Sequence, residues 1–103
     1  MRFFVVGDVS VDLLFFLERI PEPGEELPAR RALMKPGGAG ATLAAQLASL
    51  GHRVFLAGRV GQDPFAELAR SRVREVGVDL RHLQEDPEHT TSSVLILVVP
   101  GGE

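Results

Sequence analysis

Gly37-Gly38-Ala39-Gly40-Ala41-Thr42-Leu43-Ala44-Ala45-Gln46-Leu47-Ala48-Ser49-Leu50-Gly51-His52-Arg53-Val54-Phe55-Leu56-Ala57 is the stretch on which the fold turns. Within residues 42–50, Leu43, Leu47 and Leu50 recur at i, i+4 and i+7, and Thr42, Gln46 and Ser49 repeat that spacing on another face. This periodicity predicts a helix, with Gly51 as its C′ residue. Residues 53–57 then read as a strand. Upstream, Phe3-Phe4-Val5-Val6 is an unbroken β-prone apolar run ended by Gly7-Asp8, as expected of a strand covered on both faces. Strand, crossover, helix and strand together predict a parallel α/β sheet with right-handed connections.

Working outward, residues 9–17 are apolar again, broken only by Ser10 and Asp12. Residues 18–36 hold four of the seven prolines, Pro21, Pro23, Pro28 and Pro36, so no helix runs through them. Within that segment, residues 26–34 are expected to make a short extended excursion, and Arg30-Arg31 suits a solvated strand rather than a central one. Asp63-Pro64 is an N-cap followed by proline at N1. It opens a helix whose apolar stripe is Phe65, Leu68, Ala69, Val73 and Val76, interrupted by Arg72 and closed by Gly77. Residues 78–83 are expected to form a third, short strand and residues 84–89 a polar loop. Residues 94–99 are six consecutive apolar residues followed by the turn signal Pro100-Gly101-Gly102. A strand and turn with no returning strand leave a sticky edge, so the chain is expected to be a fragment or one member of an assembly.

Composition narrows the classes. The chain has 103 residues, 45% hydrophobic and 24% charged, with a formal charge of −3, which excludes a collagen-like or disordered chain. Absence of cysteine removes a disulfide framework, a thiolate nucleophile and a Cys-based zinc site, and fits a reducing, cytoplasmic compartment. Residues 1–51 carry −1 and residues 52–103 carry −2, so no basic surface argues for nucleic acid. The run at Phe3–Val6 is far too short for a signal h-region or a membrane span, and no membrane partner is expected.

Chemistry concentrates at two places. Gly37, Gly38 and Gly40 open directly into a helix, where backbone can approach a ligand and free N–H groups point outward. The alternative is a flexible linker. The segment is not a P-loop, because Ala41-Thr42 stands where Lys-Ser/Thr is needed; a dinucleotide fingerprint would need glycine at Leu43, which argues against a nicotinamide-binding fragment. Asp12 is a carboxylate among apolar residues, expected just past the first strand, where ligands of open α/β sheets bind. It could accept two hydrogen bonds from neighbouring sugar hydroxyls, or serve as a turn cap. Asp8 reads as the cap of the turn after Gly7, and Asp63 as an N-cap only. His52, His82 and His89 lack metal-ligand spacing, and no Ser-His-Asp set or carboxylate pair is present, so neither catalytic nor metal-binding residues are assigned.

Taken in order, several motifs resemble the N-terminal part of the ribokinase-like (PfkB-type) carbohydrate kinases. They are Gly7-Asp8-Val9-Ser10-Val11-Asp12, Pro23-Gly24-Glu25, Gly37-Gly38-Ala39-Gly40-Ala41-Thr42, Val60-Gly61-Gln62-Asp63-Pro64-Phe65, Gly77-Val78-Asp79 and Thr90-Thr91-Ser92. The resemblance implies an α/β fold with a parallel sheet flanked by helices and a small β-sheet lid, present as the N-terminal part, residues 1–103, of a single kinase domain. Lid strands are implied near residues 27–34 and 93–99, together with a homodimer contact through them. It also implies transfer of the ATP γ-phosphate, with Mg2+, to a hydroxymethyl group of a sugar or nucleoside. Asp12, Gly37, Gly38, Gly40 and Thr42 would be the acceptor-binding residues. The family's glycine motif often has lysine where Ala39 stands and asparagine where Thr42 stands, which bears on substrate class. The ATP site and the catalytic base lie downstream of this segment in the family, so the 103-residue chain alone is expected to be inactive. The rival expectation is a non-catalytic interaction module that pairs its 94–99 strand with a partner.

Overall fold

The computed structural model describes residues 1–101 and contains six strands and two helices: β1 (Arg2–Val6), β2 (Ser10–Phe16), β3 (Arg31–Gly37), α1 (Ala39–Ser49), β4 (Arg53–Gly61), α2 (Pro64–Glu75), β5 (Leu83–Asp86) and β6 (Ser92–Val98). The strands form two sheets of three. One, in the order β1-β4-β5, is parallel, with Phe3 opposite Val54 and Val5 opposite Leu56. This is the parallel sheet that the strand–helix–strand pattern predicts. The other has the order β3-β2-β6, with β2 antiparallel to β3 and parallel to β6.

Both helices lie on one face of the parallel sheet. Val5, Val54 and Leu56 meet Ala41, Ala44 and Ala45 of α1 and Ala66, Ala69 and Val73 of α2 in a single core, which Val9, Val11 and Val60 extend toward the second sheet. The opposite face, carrying Phe4 at 57% and Val6 at 77% exposure, has no helix on it among the described residues, only the His82 ring 5.1 Å from Phe4 and the guanidinium groups of Arg53 and Arg81 over Phe55. Only one of the two faces expected to be covered is therefore covered by these residues.

Helix α1 buries a different stripe from the leucines that mark it in the sequence. Leu43 and Leu50 are 48% and 75% exposed, whereas Gly40, Ala41, Ala44 and Ala45 are buried. Small side chains let α1 sit close on β1 and β4, and the same period of 3.6 serves either stripe. The helix also begins at Ala39, three residues before the leucine pattern. Gly51 and Gly77 have φ of 92° and 88° just past the two helix ends, the left-handed geometry that stops a helix cheaply only at glycine.

Three strands depart from expectation. β3 spans Arg31–Gly37, so residues 27–30 precede it and it runs through Pro36. It tolerates that proline because it is an edge strand, where a missing N–H removes no central ladder bond. The edge position also leaves Arg31 free to lay its guanidinium 5.1 Å from the centre of the Phe16 ring opposite. The third parallel strand is Leu83–Asp86, so three of its four residues fall in the segment expected to be loop, and residues 78–82 contribute only a bridge between Asp79 and Phe55. Finally, β6 lies parallel to β2 as its neighbour, a pairing that no local feature of the sequence indicates. The turn expected at Pro100-Gly101-Gly102 extends outside the described residues.

Candidate functional site

Asp12 is the third residue of β2, inside the second sheet rather than in a loop after β1. Its neighbours Val11 and Leu13 turn to the opposite face, where Val11 is fully buried in the core and Leu13 packs against it. Asp12 itself is half-buried, and its carboxyl lies against Gly37. A β-carbon added at Gly37 would come within 2.7 Å of Oδ1 and 2.8 Å of both Cγ and Oδ2. Gly37 thus makes the space that the carboxylate occupies. Asp12 enters none of the ion pairs among the described residues, so its charge is not already neutralised by the protein.

Gly38 and Gly40 serve a different contact. Gly38 is the N-cap of α1 with φ 95°, and a β-carbon there would stand 2.5 Å from the Asp8 carbonyl oxygen. At Gly40 it would meet Gly7 C and Cα at 2.7 and 2.8 Å. The Ala41 amide donates to the Asp8 carbonyl at 3.0 Å. These glycines clamp the start of α1 onto the turn between β1 and β2, and so fix where Gly37, one residue upstream, faces Asp12. Thr42 faces α2: it lines a groove of about 450 Å³ between α1 and α2 with Gln46, Leu50, Arg72 and Val76, and with Arg72 and Val73 it borders a small space that Gly37 also lines. The structure therefore brings Asp12 and Gly37 together, supports them through Gly38 and Gly40, and puts the Thr42 side chain on the helical side.

A larger cleft of about 540 Å³ opens at the carboxyl ends of β1 and β4, between the two sheets, lined by Asp8, Arg59, His82, Asp86, His89 and Ser92 among others. This is where ligands of open α/β sheets bind. Asp86 anchors its wall, accepting from the Glu88 amide at 2.8 Å and meeting His89 Nδ1 at 2.8 Å and Arg59 at 3.4 Å. The Glu88 amide, with help from His89 and Arg59, holds the Asp86 carboxyl below its ordinary range. None of these three side chains is legible as a site in sequence, because strand pairing and a loop bring them together across 31 positions.

Asp63 does more than cap α2. Its Oδ1 accepts from the Phe65 and Ala66 amides at 3.1 Å and from the Thr91 hydroxyl at 2.8 Å, while Oδ2 accepts from the Thr91 amide at 2.7 Å. The Gly61 amide donates to the same Thr91 hydroxyl at 2.9 Å. Thr91 is 2% exposed, so these bonds lock the residue that opens β6 onto the start of α2. The Thr91 amide is the main reason that the Asp63 carboxyl sits below its ordinary value. The N-cap is readable from Asp63-Pro64; its partner, 28 residues on, is not.

Residues 2–103 match the pfkB family carbohydrate kinase. A fructokinase of Escherichia coli is 40% identical over 103 residues, covering 99% of this chain and 30% of that protein. A ribokinase of Bacillus subtilis (strain 168) is 31% identical over 99 residues, covering 96% and 33%. Among solved structures, Arabidopsis thaliana ribokinase complexed with ribose and ATP superposes with a TM-score of 0.94 at 27% identity, covering 98% of this chain and 33% of that one. The chain thus spans about a third of the length of the proteins it matches.

Proposed function

Because the chain belongs to the pfkB family of carbohydrate kinases, we propose that it forms the acceptor-binding side of an ATP-dependent kinase that phosphorylates a hydroxymethyl group of a sugar or nucleoside. The observation that carries this reading is the Asp12 carboxylate, without an ionic partner among the described residues and seated against Gly37. A carboxylate so placed can accept from two neighbouring hydroxyls, and such charge-assisted bonds are roughly twice as strong as neutral ones. Gly37, Gly38 and Gly40 then act by positioning: one leaves room for the carboxylate, and two hold the helix start that presents it. Thr42 is kept as a binding residue only through its backbone at that helix start. The β3-β2-β6 sheet acts as the lid, with β2 as a central strand between the two implied from sequence.

Phosphoryl transfer is positioning and charge stabilisation, and ATP with Mg2+ supplies the transferred group and its neutralising ion. The residues described do not fit either. The spaces behind Gly38 and Gly40 are filled by Asp8 and Gly7, leaving no open phosphate cradle. Among the described residues, no three His, Cys, Asp or Glu side chains stand together to hold a metal. The 103-residue chain is therefore expected not to turn over ATP. A cytoplasmic setting belongs to the same reading; among the described residues, no helix is long and apolar enough to cross a membrane.

The exposed run Val94, Leu95, Ile96 and Leu97, 37–58% accessible, favours a second reading in which β6 pairs with a partner or with its own copy. Calorimetric titration with fructose, ribose and a nucleoside separates the two. Weak saturable binding of one of them, abolished by Asp12→Ala, is the expected result. Absence of binding to all three at millimolar concentrations favours the interaction module.

A further inference from the structure

Lys35 is the one lysine in a chain with ten arginines, and it stands directly opposite Asp12 across the β2–β3 ladder. Residues paired in this way share a face of the sheet, with β-carbons about 5 Å apart. Opposite charges so placed normally form a cross-strand ion pair, yet none forms here. The Asp12 carboxyl is turned along β3 toward Gly37, and among the described residues Lys35 makes no ion pair. Lys35 is exposed, so its ammonium is free to meet whatever Asp12 binds. The third strand adds no competing charge, because the residue paired with Asp12 on β6 is Val94.

We propose that Lys35 is a specificity-determining residue that admits an anionic acceptor, a sugar bearing a carboxylate or a phosphate monoester. The inference rests on the acceptor reading of Asp12. With Asp12 alone, this face of the sheet carries a bare negative charge and repels an anionic sugar. An ammonium on the adjacent strand reverses that balance while Asp12 keeps the hydroxyls. Two groups of opposite sign, side by side and not spent on each other, match a ligand with hydroxyls at one end and an anionic group at the other. Neither neutral ribose nor neutral fructose supplies the second group.

The lone lysine makes the test clean. Reductive dimethylation with 13C-formaldehyde labels only Lys35 and the N-terminus of the 103-residue chain. The labelled chain is titrated with an aldonate, a hexose monophosphate and the parent neutral hexose, and amide shifts of Asp12 and Gly37 are read in parallel on unlabelled-lysine samples. The expected result is that the Lys35 methyl signal moves with an anionic sugar. The affinity ratio of anionic to neutral sugar is expected to fall about tenfold in Lys35→Gln and to recover in Lys35→Arg. Response to the aldonate alone assigns a carboxylate, to the monophosphate alone a phosphate, and to both the charge itself. If the Asp12 and Gly37 amides move while the ratio is unchanged in Lys35→Gln, the proposal is overturned and the acceptor reading stands. If neither sugar class moves those amides, the acceptor reading falls and takes this proposal with it.

Discussion

Gly37 and Gly40 lack the same side chain but face different neighbours, and substitution should separate them. A methyl at Gly40 meets backbone of Gly7 and Asp8 within 2.9 Å, and backbone on a helix start and a strand end cannot give way. Gly40→Ala is expected to cost roughly 1–3 kcal/mol, read as a lower midpoint in urea. The three atoms nearest a methyl at Gly37 all belong to the Asp12 carboxyl, which can swing aside. Gly37→Ala should leave the midpoint nearly unchanged and lose sugar binding, as Asp12→Ala does. Equal loss of stability in the two variants would contradict this division. The candidate residues at this scale are visible in sequence because glycines clustered at a helix start and a carboxylate in an apolar run are both unusual. Which glycine faces which group is not visible, since it is set by the β2–β3 register and by the close approach of α1 to the β1–β2 turn.

Helix ends are the most legible elements. Asp63-Pro64, Gly51 and Gly77 act through local backbone geometry, which a short window of sequence contains in full. Pairing partners are less so: β6 lies parallel to β2, 82 positions earlier in the chain, and no local signal joins Ser92 to Ser10. The stripe that α1 buries is hidden for a related reason, because Ala44 and Leu43 are both apolar and only the distance to β4 favours the smaller. Thr91→Val removes the hydroxyl that bonds both Asp63 and Gly61 and leaves the Asp63 cap of α2 intact. Amide exchange should accelerate across β6 while α2 stays protected. Equal acceleration in both elements would mean that the two are not separable units.

Acid response belongs to the whole molecule. Glu25 and Glu67 are pulled from 4.5 to about 2, chiefly by bonds from Arg19 and from Arg74 and Arg70, and Asp63, Asp79 and Asp86 are lowered chiefly by backbone amides. Each carboxyl holds its proton less tightly folded than unfolded. The stability they lend is therefore complete above the ordinary carboxylate range and is lost as pH falls through the lowered values. The melting temperature should be flat from pH 7 to about 5 and fall from about pH 4 toward 2. Salt should weaken the exposed arginine pairs more than the amide-bonded aspartates. A melting temperature that rises on acidification would contradict the assignment.

The same scale explains what the chain leaves open. Parallel sheets are covered on both faces in stable α/β folds, and the face of Phe4 and Val6 is uncovered here, as is the apolar run of β6. A chain spanning about a third of its relatives leaves such surfaces, and the proposed contact through the lid sheet should appear as concentration-dependent dimerisation in sedimentation, reduced by Leu95→Glu. On the reading proposed here, residues 1–103 would carry the acceptor half of a kinase site, centred on Asp12 and Gly37. A 15N-resolved titration of the chain with fructose, with ribose and with a hexose monophosphate, wild type against Asp12→Asn, tests this most directly. Saturable shifts of the Asp12 and Gly37 amides are expected with at least one of the three sugars, and none in Asp12→Asn. Shifts of equal size in Asp12→Asn, or none in the wild type, would contradict it.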